Sequence, residues 1–179
     1  MWPMALVDSE TGFVSLTYPG SAFRPMPRFA FDAPADWVLN EFPGALFIMG
    51  PVGGPDEPWS NVVVRHERIL PDTSLEAIAK GSWEAFEADN PGAVVIDERL
   101  VSFAQVHYVR EVDLAPVGDE EPTTRIDSFV FGPEVDYPTL DLFQFTWMHP
   151  TTAGPELKPV YVKILSSLNF IDEPVAATP

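Results

Sequence analysis

Three histidines (His66, His107 and His149) and 27 acidic side chains are the candidate metal ligands and acid–base groups of a chain that has no cysteine. Without thiols, disulfides, thiolate zinc sites, iron–sulfur clusters and cysteine nucleophiles are excluded. His66-Glu67 opens the pattern of a hydrolytic zinc helix, but Leu70 stands where the second histidine must be. The segment also reads as strand, so these side chains do not share a helix face, and His66 is read as a solvated or hydrogen-bonded strand histidine. His107 and His149 are isolated in sequence; the three would form a metal site only if the fold gathered them with Asp or Glu. No Gly-x-Ser-x-Gly elbow occurs: Gly81-Ser82 falls inside a helix pattern and Gly20-Ser21 in a loop. Gly50-Pro51-Val52-Gly53-Gly54-Pro55 lacks the Lys-Ser/Thr of a phosphate loop and reads as a turn-forming connection. Carboxylates neighbour one another at Asp97/Glu98, Glu111/Asp113, Asp119/Glu120/Glu121 and Glu134/Asp136. A glycosidase sets two carboxyls across a cleft, which spacing along the chain does not reveal, and none of these has the calcium-loop pattern. No catalytic, cofactor-binding or metal-binding residue is assigned, and no cofactor is expected.

The elements that must carry these groups are mostly strands. Gly12–Tyr18, Arg28–Asp32, Ala45–Met49, Asn61–Ile69, Ala93–Val101, Ala104–Leu114, Thr124–Phe131 and Thr139–Met148 are rich in Val, Phe, Ile, Thr and Tyr. Along 104–114, Val106, Tyr108, Val112 and Leu114 share one face, and Gln105, His107, Glu111 and Asp113 the other, interrupted by Val109. Such alternation predicts an antiparallel strand with one wet face. A helix is expected over Leu75 to Asp89, with Thr73 as N-cap, Glu76 completing a capping box, and an apolar face of Leu75, Ile78, Ala79, Trp83 and Phe86. Asn90-Pro91-Gly92 ends it. A second helix is expected over Glu156 to Leu168, with Pro159 in its first turn and Asn169 in the left-handed conformation at its end. Gly118 to Pro122 fits a hairpin loop. Trp37, Trp83 and Trp147 lie on patterned elements and are assigned to the core; Trp59 precedes a strand, and Trp2 lies in the N-terminal tail. Consecutive hairpins with only two helices give an α+β fold, with helices packed on an antiparallel sheet.

The 179 residues suit one domain, with an N-terminal extension over 1–11 and a flexible tail over 172–179. Twenty-seven acids against ten Lys and Arg leave a net charge of −17, which argues against nucleic acid. No apolar run reaches membrane-spanning length, and Met1 to Glu10 lacks a basic export signal, so a cytoplasmic location is expected.

Three segments in order resemble the PsbP-like superfamily. They are Phe29 to Trp37, with its strand, proline and tryptophan; Asn61-Val62-Val63-Val64 followed by Ser74-Leu75-Glu76; and Ile164-Leu165-Ser166-Ser167-Leu168-Asn169-Phe170. Within that superfamily the pattern is most similar to the actinobacterial LpqN/LpqT group. The resemblance spans residues 28–171 and implies an α/β/α sandwich and protein binding without catalysis. Relatives include a Ran-binding transport factor, a photosystem II subunit, mycobacterial lipoproteins and effector chaperones. The lipoprotein pattern is not matched, since its lipid-accepting cysteine is missing.

The expected function is a non-catalytic cytoplasmic protein-binding module, an adaptor or chaperone for a secreted or basic partner. The alternatives are a small-molecule-binding protein or weak enzyme with a pocket between sheet and helix, and a subunit of a larger complex or homodimer joined through a sheet edge.

Overall fold

The computed structural model describes residues 25–52, 60–116, 121–135 and 137–171. The expected strand over Gly12–Tyr18, the N-terminal extension, the tail, Gly20-Ser21, Trp2, Trp59, Gly53 to Pro55, Asp119, Glu120 and Asp136 lie outside the described residues.

Among the described residues, nine strands and two helices follow in the order β1 (Arg28–Ala30), β2 (Trp37–Asn40), β3 (Phe47–Pro51), β4 (Asn61–Ile69), α1 (Leu75–Asp89), β5 (Val94–Ser102), β6 (Val106–Leu114), β7 (Thr123–Phe131), β8 (Leu140–Pro150), α2 (Gly154–Ser167) and β9 (Asn169–Ile171). Seven of the strands form one antiparallel sheet in the order β2-β3-β4-β8-β7-β6-β5, and β1 pairs with β9 in a small second sheet. The fold is therefore α+β, as the strand and helix patterns predict.

Period-two alternation sorts the sheet residues onto two faces, and each face meets one helix. Toward α2 point Val62 and Val64 of β4, Ile126 and Val130 of β7, and Phe143, Phe145 and Trp147 of β8, which bury against Tyr161, Ile164, Leu165 and Leu168. Phe29, Phe31 and Phe170 close this core from the small sheet, with edge-on contacts between Phe29 and Phe143 and between Phe31 and Phe145. Toward α1 lies a smaller apolar cluster of Leu75, Ala79, Phe129 and Leu142.

Several local expectations are corrected. The N-cap of α1 is Ser74, not Thr73; its hydroxyl accepts from the Ala77 N–H at 3.2 Å, so Glu76 stands one place too early for a capping box. Asn90 caps the other end by donating its side-chain amide to the Phe86 carbonyl, and Gly92 takes the left-handed backbone (φ 98°) that turns the chain into β5. Helix α2 begins at Gly154, led in by a 3-10 turn over Thr151–Ala153. Pro159 therefore lies inside the helix rather than in its first turn. The helix ends on Leu168 in extended conformation, and Asn169 opens β9 instead of turning left-handed, because pairing with Ala30 of β1 demands a straight chain. Gly50 and Pro51 belong to β3 rather than to a turn. A side chain at Gly50 would meet the Ser60 carbonyl oxygen at 2.5 Å, so only glycine lets the two backbones approach there.

Neither face of β6 is wholly wet. His107 is fully buried among the side chains facing α2, Arg110 is buried under α1, and Val106 is half exposed. Helices cover both faces of the sheet, so burial along β6 follows what lies above each residue and not the simple alternation. Of the three tryptophans assigned to the core, Trp147 is fully buried, Trp37 packs at the edge of the same core, and Trp83 is half buried on α1.

Candidate functional site

The three histidines all project from the α2 side of the sheet, but each is engaged separately. His66 donates from Nε2 to the buried Asp141 carboxylate (2.8 Å), which also accepts from Arg68 Nε at 3.4 Å, and its ring lies 4.9 Å from that of Phe143. His107 shares a 3.0 Å hydrogen bond with the Ser128 hydroxyl, and burial pushes its pKa down to about 4, so it is neutral at physiological pH. His149 bonds through Nδ1 to the Pro150 carbonyl (2.7 Å) and packs on the Tyr161 ring. Among the described residues, no three of His, Asp and Glu are placed to share a metal ion.

Of the neighbouring carboxylates, Asp97 and Glu98 are separated by the pleat, and the others are engaged one by one. Asp97 pairs with Arg99 on the α2 side, whereas Glu98 bonds Arg110 at 3.0 Å on the α1 side. Glu111 bonds Lys158 of α2 at 2.7 Å, Asp113 accepts from Thr124, and Glu121 accepts from Thr152. Gly81-Ser82 lies within α1, with no strand-to-helix elbow.

Concave surface flanks α2 instead, and the side toward β5 and β6 carries charged groups. Helix α2 leans over β4, β8 and β7 and leaves the β5–β6 end of its face open. The result is a groove of about 300 Å³. Val101, Phe103, Val109 and Ile126 form its floor on the sheet, with Tyr161, Val162 and Leu165 as its wall on α2. Its rim carries two ion pairs, Asp97–Arg99 on the sheet side and Glu111–Lys158 spanning from sheet to helix. Tyr161, at its inner end, has its phenol pushed up to about 12 by burial, partly offset by the contact with the Ser60 hydroxyl (3.3 Å), and so remains protonated.

An apolar floor ringed by charge is complementary in kind to amphipathic surface. The groove was not visible in the sequence. Two of its wall residues, Tyr161 and Leu165, belong to the 3.6-residue stripe that builds the core, and Val162 flanks that stripe.

No family model matches the sequence, and neither does any curated protein. Solved structures do match. LpqN of Mycobacterium tuberculosis, described as involved in cell envelope biogenesis, aligns with a TM-score of 0.66 at 12% identity, over 85% of this chain and 88% of that one. Cyanobacterial PsbP (CyanoP) of Synechocystis aligns at 0.57 and 16% identity, over 87% and 99%. The Ran-binding protein Mog1p of Saccharomyces cerevisiae aligns at 0.50 and 10% identity, over 80% and 90%. At these identities the likeness establishes the fold alone.

Proposed function

We propose that this chain, which has the PsbP-like fold, is a non-catalytic binding module whose site is the groove between α2 and the β5–β6 hairpin. The observation that carries this reading is the uncovered apolar floor with its ion-paired rim. A protein ligand is favoured by the net charge of −17, which steers basic surfaces toward the molecule, and by the fold shared with a protein described as Ran-binding. In this reading the chain acts in the cytoplasm as an adaptor or chaperone for a secreted or basic partner. Among the described residues, no helix is long and apolar enough to cross a membrane.

The test is capture from a lysate of the source organism on immobilised wild-type protein and, in parallel, on the Val162→Arg variant. Val162 is half exposed on the groove wall, so arginine there blocks the site without entering the core. One near-stoichiometric partner, held by wild type, released by high salt and not captured by the variant, is the expected result. A partner captured equally by both overturns the groove as the site, and a blank overturns the adaptor role. The second reading, a small amphipathic molecule in the 300 Å³ groove, predicts instead a ligand-induced rise in Tm that Val162→Arg removes.

A further inference from the structure

Strand β5 closes the sheet next to this groove. Eight of its nine residues pair with β6 along one side, and among the described residues no strand pairs with the other. An unpaired edge presents a row of N–H and C=O groups that an extended chain can use. Val94, Ile96 and Leu100 of this edge are 56%, 53% and 50% exposed, and Ile96 and Val162 flank the same groove. The opposite edge, β2, is only four residues long. We propose that β5 is the docking edge for an extended, basic segment of a partner protein, which adds to the sheet as a further strand and seats an apolar side chain in the groove.

Charge selects the occupant. The carboxylates of the edge and rim, Asp97, Glu98 and Glu111, are paired with Arg99, Arg110 and Lys158, so the charge that favours a basic occupant is that of the whole chain, −17. The register of β5 is broken between Val95 and Asp97. A bulge and edge charges are the usual guards against pairing of identical copies. A second copy would bring its own −17 and its own bulge. A chain alternating apolar and basic residues does not meet the charge obstacle and brings no second bulge: its apolar side chains face the groove at every second residue, and its cations lie on the opposite face of the added strand, the side on which Glu98 stands.

This proposal rests on the groove being the binding site, and the test separates the two. The full chain is titrated, with fluorescence anisotropy as the readout, into an end-capped, fluorescein-labelled ten-residue peptide alternating Val and Lys. Companion peptides replace Lys by Glu, or carry N-methyl groups on alternate backbone amides in one phase or the other. Only every second amide of an added strand faces its neighbour. Strand addition therefore predicts that one N-methyl phase weakens binding at least about tenfold while the other is tolerated. The Glu peptide is expected not to bind, and Val162→Arg to weaken the Val-Lys peptide by a similar factor.

If both N-methyl peptides bind as tightly as the parent while Val162→Arg abolishes binding, strand addition is overturned and the groove stands. Binding indifferent to Val162→Arg overturns both. Absence of saturable binding by the Val-Lys peptide overturns the β5 proposal, leaving the groove to the capture experiment. A concentration-dependent dimer in sedimentation, dissociated by Leu100→Lys, would make a second copy the occupant and overturn the basic-segment proposal.

Discussion

Against α2 the sheet presents Val62, Val64, Phe143, Phe145 and Trp147; against α1 it presents Arg110, Arg125, Asp127, Gln144 and Thr146. The first set is held by area. Its rings and branched chains exclude water from the middle of the fold, and each contact is individually replaceable by another apolar group of similar volume. The second set is held by geometry. Asp127 accepts from Arg125 through both oxygens (2.7 and 3.0 Å), from Gln144 (3.1 Å) and from Thr146 (2.7 Å), so a buried carboxylate is fully satisfied. Arg125 lies 4.1 Å over the Phe86 ring of α1, and Arg110 donates to the Ala79 carbonyl of the same helix while its guanidinium sits beside Trp83. Two arginines thus tie α1 to the sheet at defined points. A one-residue slip of β7 against β8 would carry Asp127 to the apolar face, so the polar set specifies register in a way the aromatic set does not.

The contrast yields predictions that can break it. Trp147→Ala removes the largest fully buried side chain of the apolar face and should cost about 5 kcal/mol in urea unfolding. A loss below about 1 kcal/mol would show that this face is not the main source of stability. Asp127→Ala leaves Arg125 without its carboxylate in a nearly buried site and should cost about 4 kcal/mol. The double replacement Asp127→Leu with Arg125→Met should recover most of that loss, since no charge is then stranded. If the double variant is as unstable as the single one, the geometric account of this face is wrong.

His107 offers a pH test of burial on the α2 side. Its folded pKa of about 4 lies below the usual 6.5, so between these values the unfolded chain binds more protons than the folded one. Stability from this group is complete above pH 6.5 and lost as pH falls toward 4, by about 3 kcal/mol. His107→Gln should flatten that part of the stability–pH curve relative to wild type; an unchanged slope would assign the acid sensitivity to other groups. The smallest effect concerns the end of α1. Ser74→Ala should cost about 1 kcal/mol and Thr73→Ala almost nothing, and the reverse order would restore the cap to Thr73.

The long elements could be read before folding. Helix α1 ends where its periodicity and Asn90-Pro91-Gly92 place it, and β4 matches Asn61–Ile69 at both ends. What escaped was short or decided at a distance. Strands β2 and β9 have four and three residues, too few for an alternation to emerge, and β9 exists only because β1 lies alongside it. The cap moved from Thr73 to Ser74 because both residues are good acceptors and only the course of the chain chooses between them. Asp127 carried no local mark of burial. Its three donors come from positions 125, 144 and 146, two of them on the neighbouring strand.

Local patterning was enough to settle the class of fold, the main strands, both helices and the absence of thiol chemistry, because each of these depends on neighbours a few residues apart or on composition alone. The order of the seven strands, the partners of the three histidines, the satisfied Asp127 and the groove beside β5 depended on contacts between distant segments. That Tyr161 is buried and its neighbour Val162 exposed follows from the turn of the helix and is legible in the sequence. That Val162 borders a groove with Ile96 and Val101, some sixty residues away in the chain, depends on where α2 crosses the sheet, which no local pattern records.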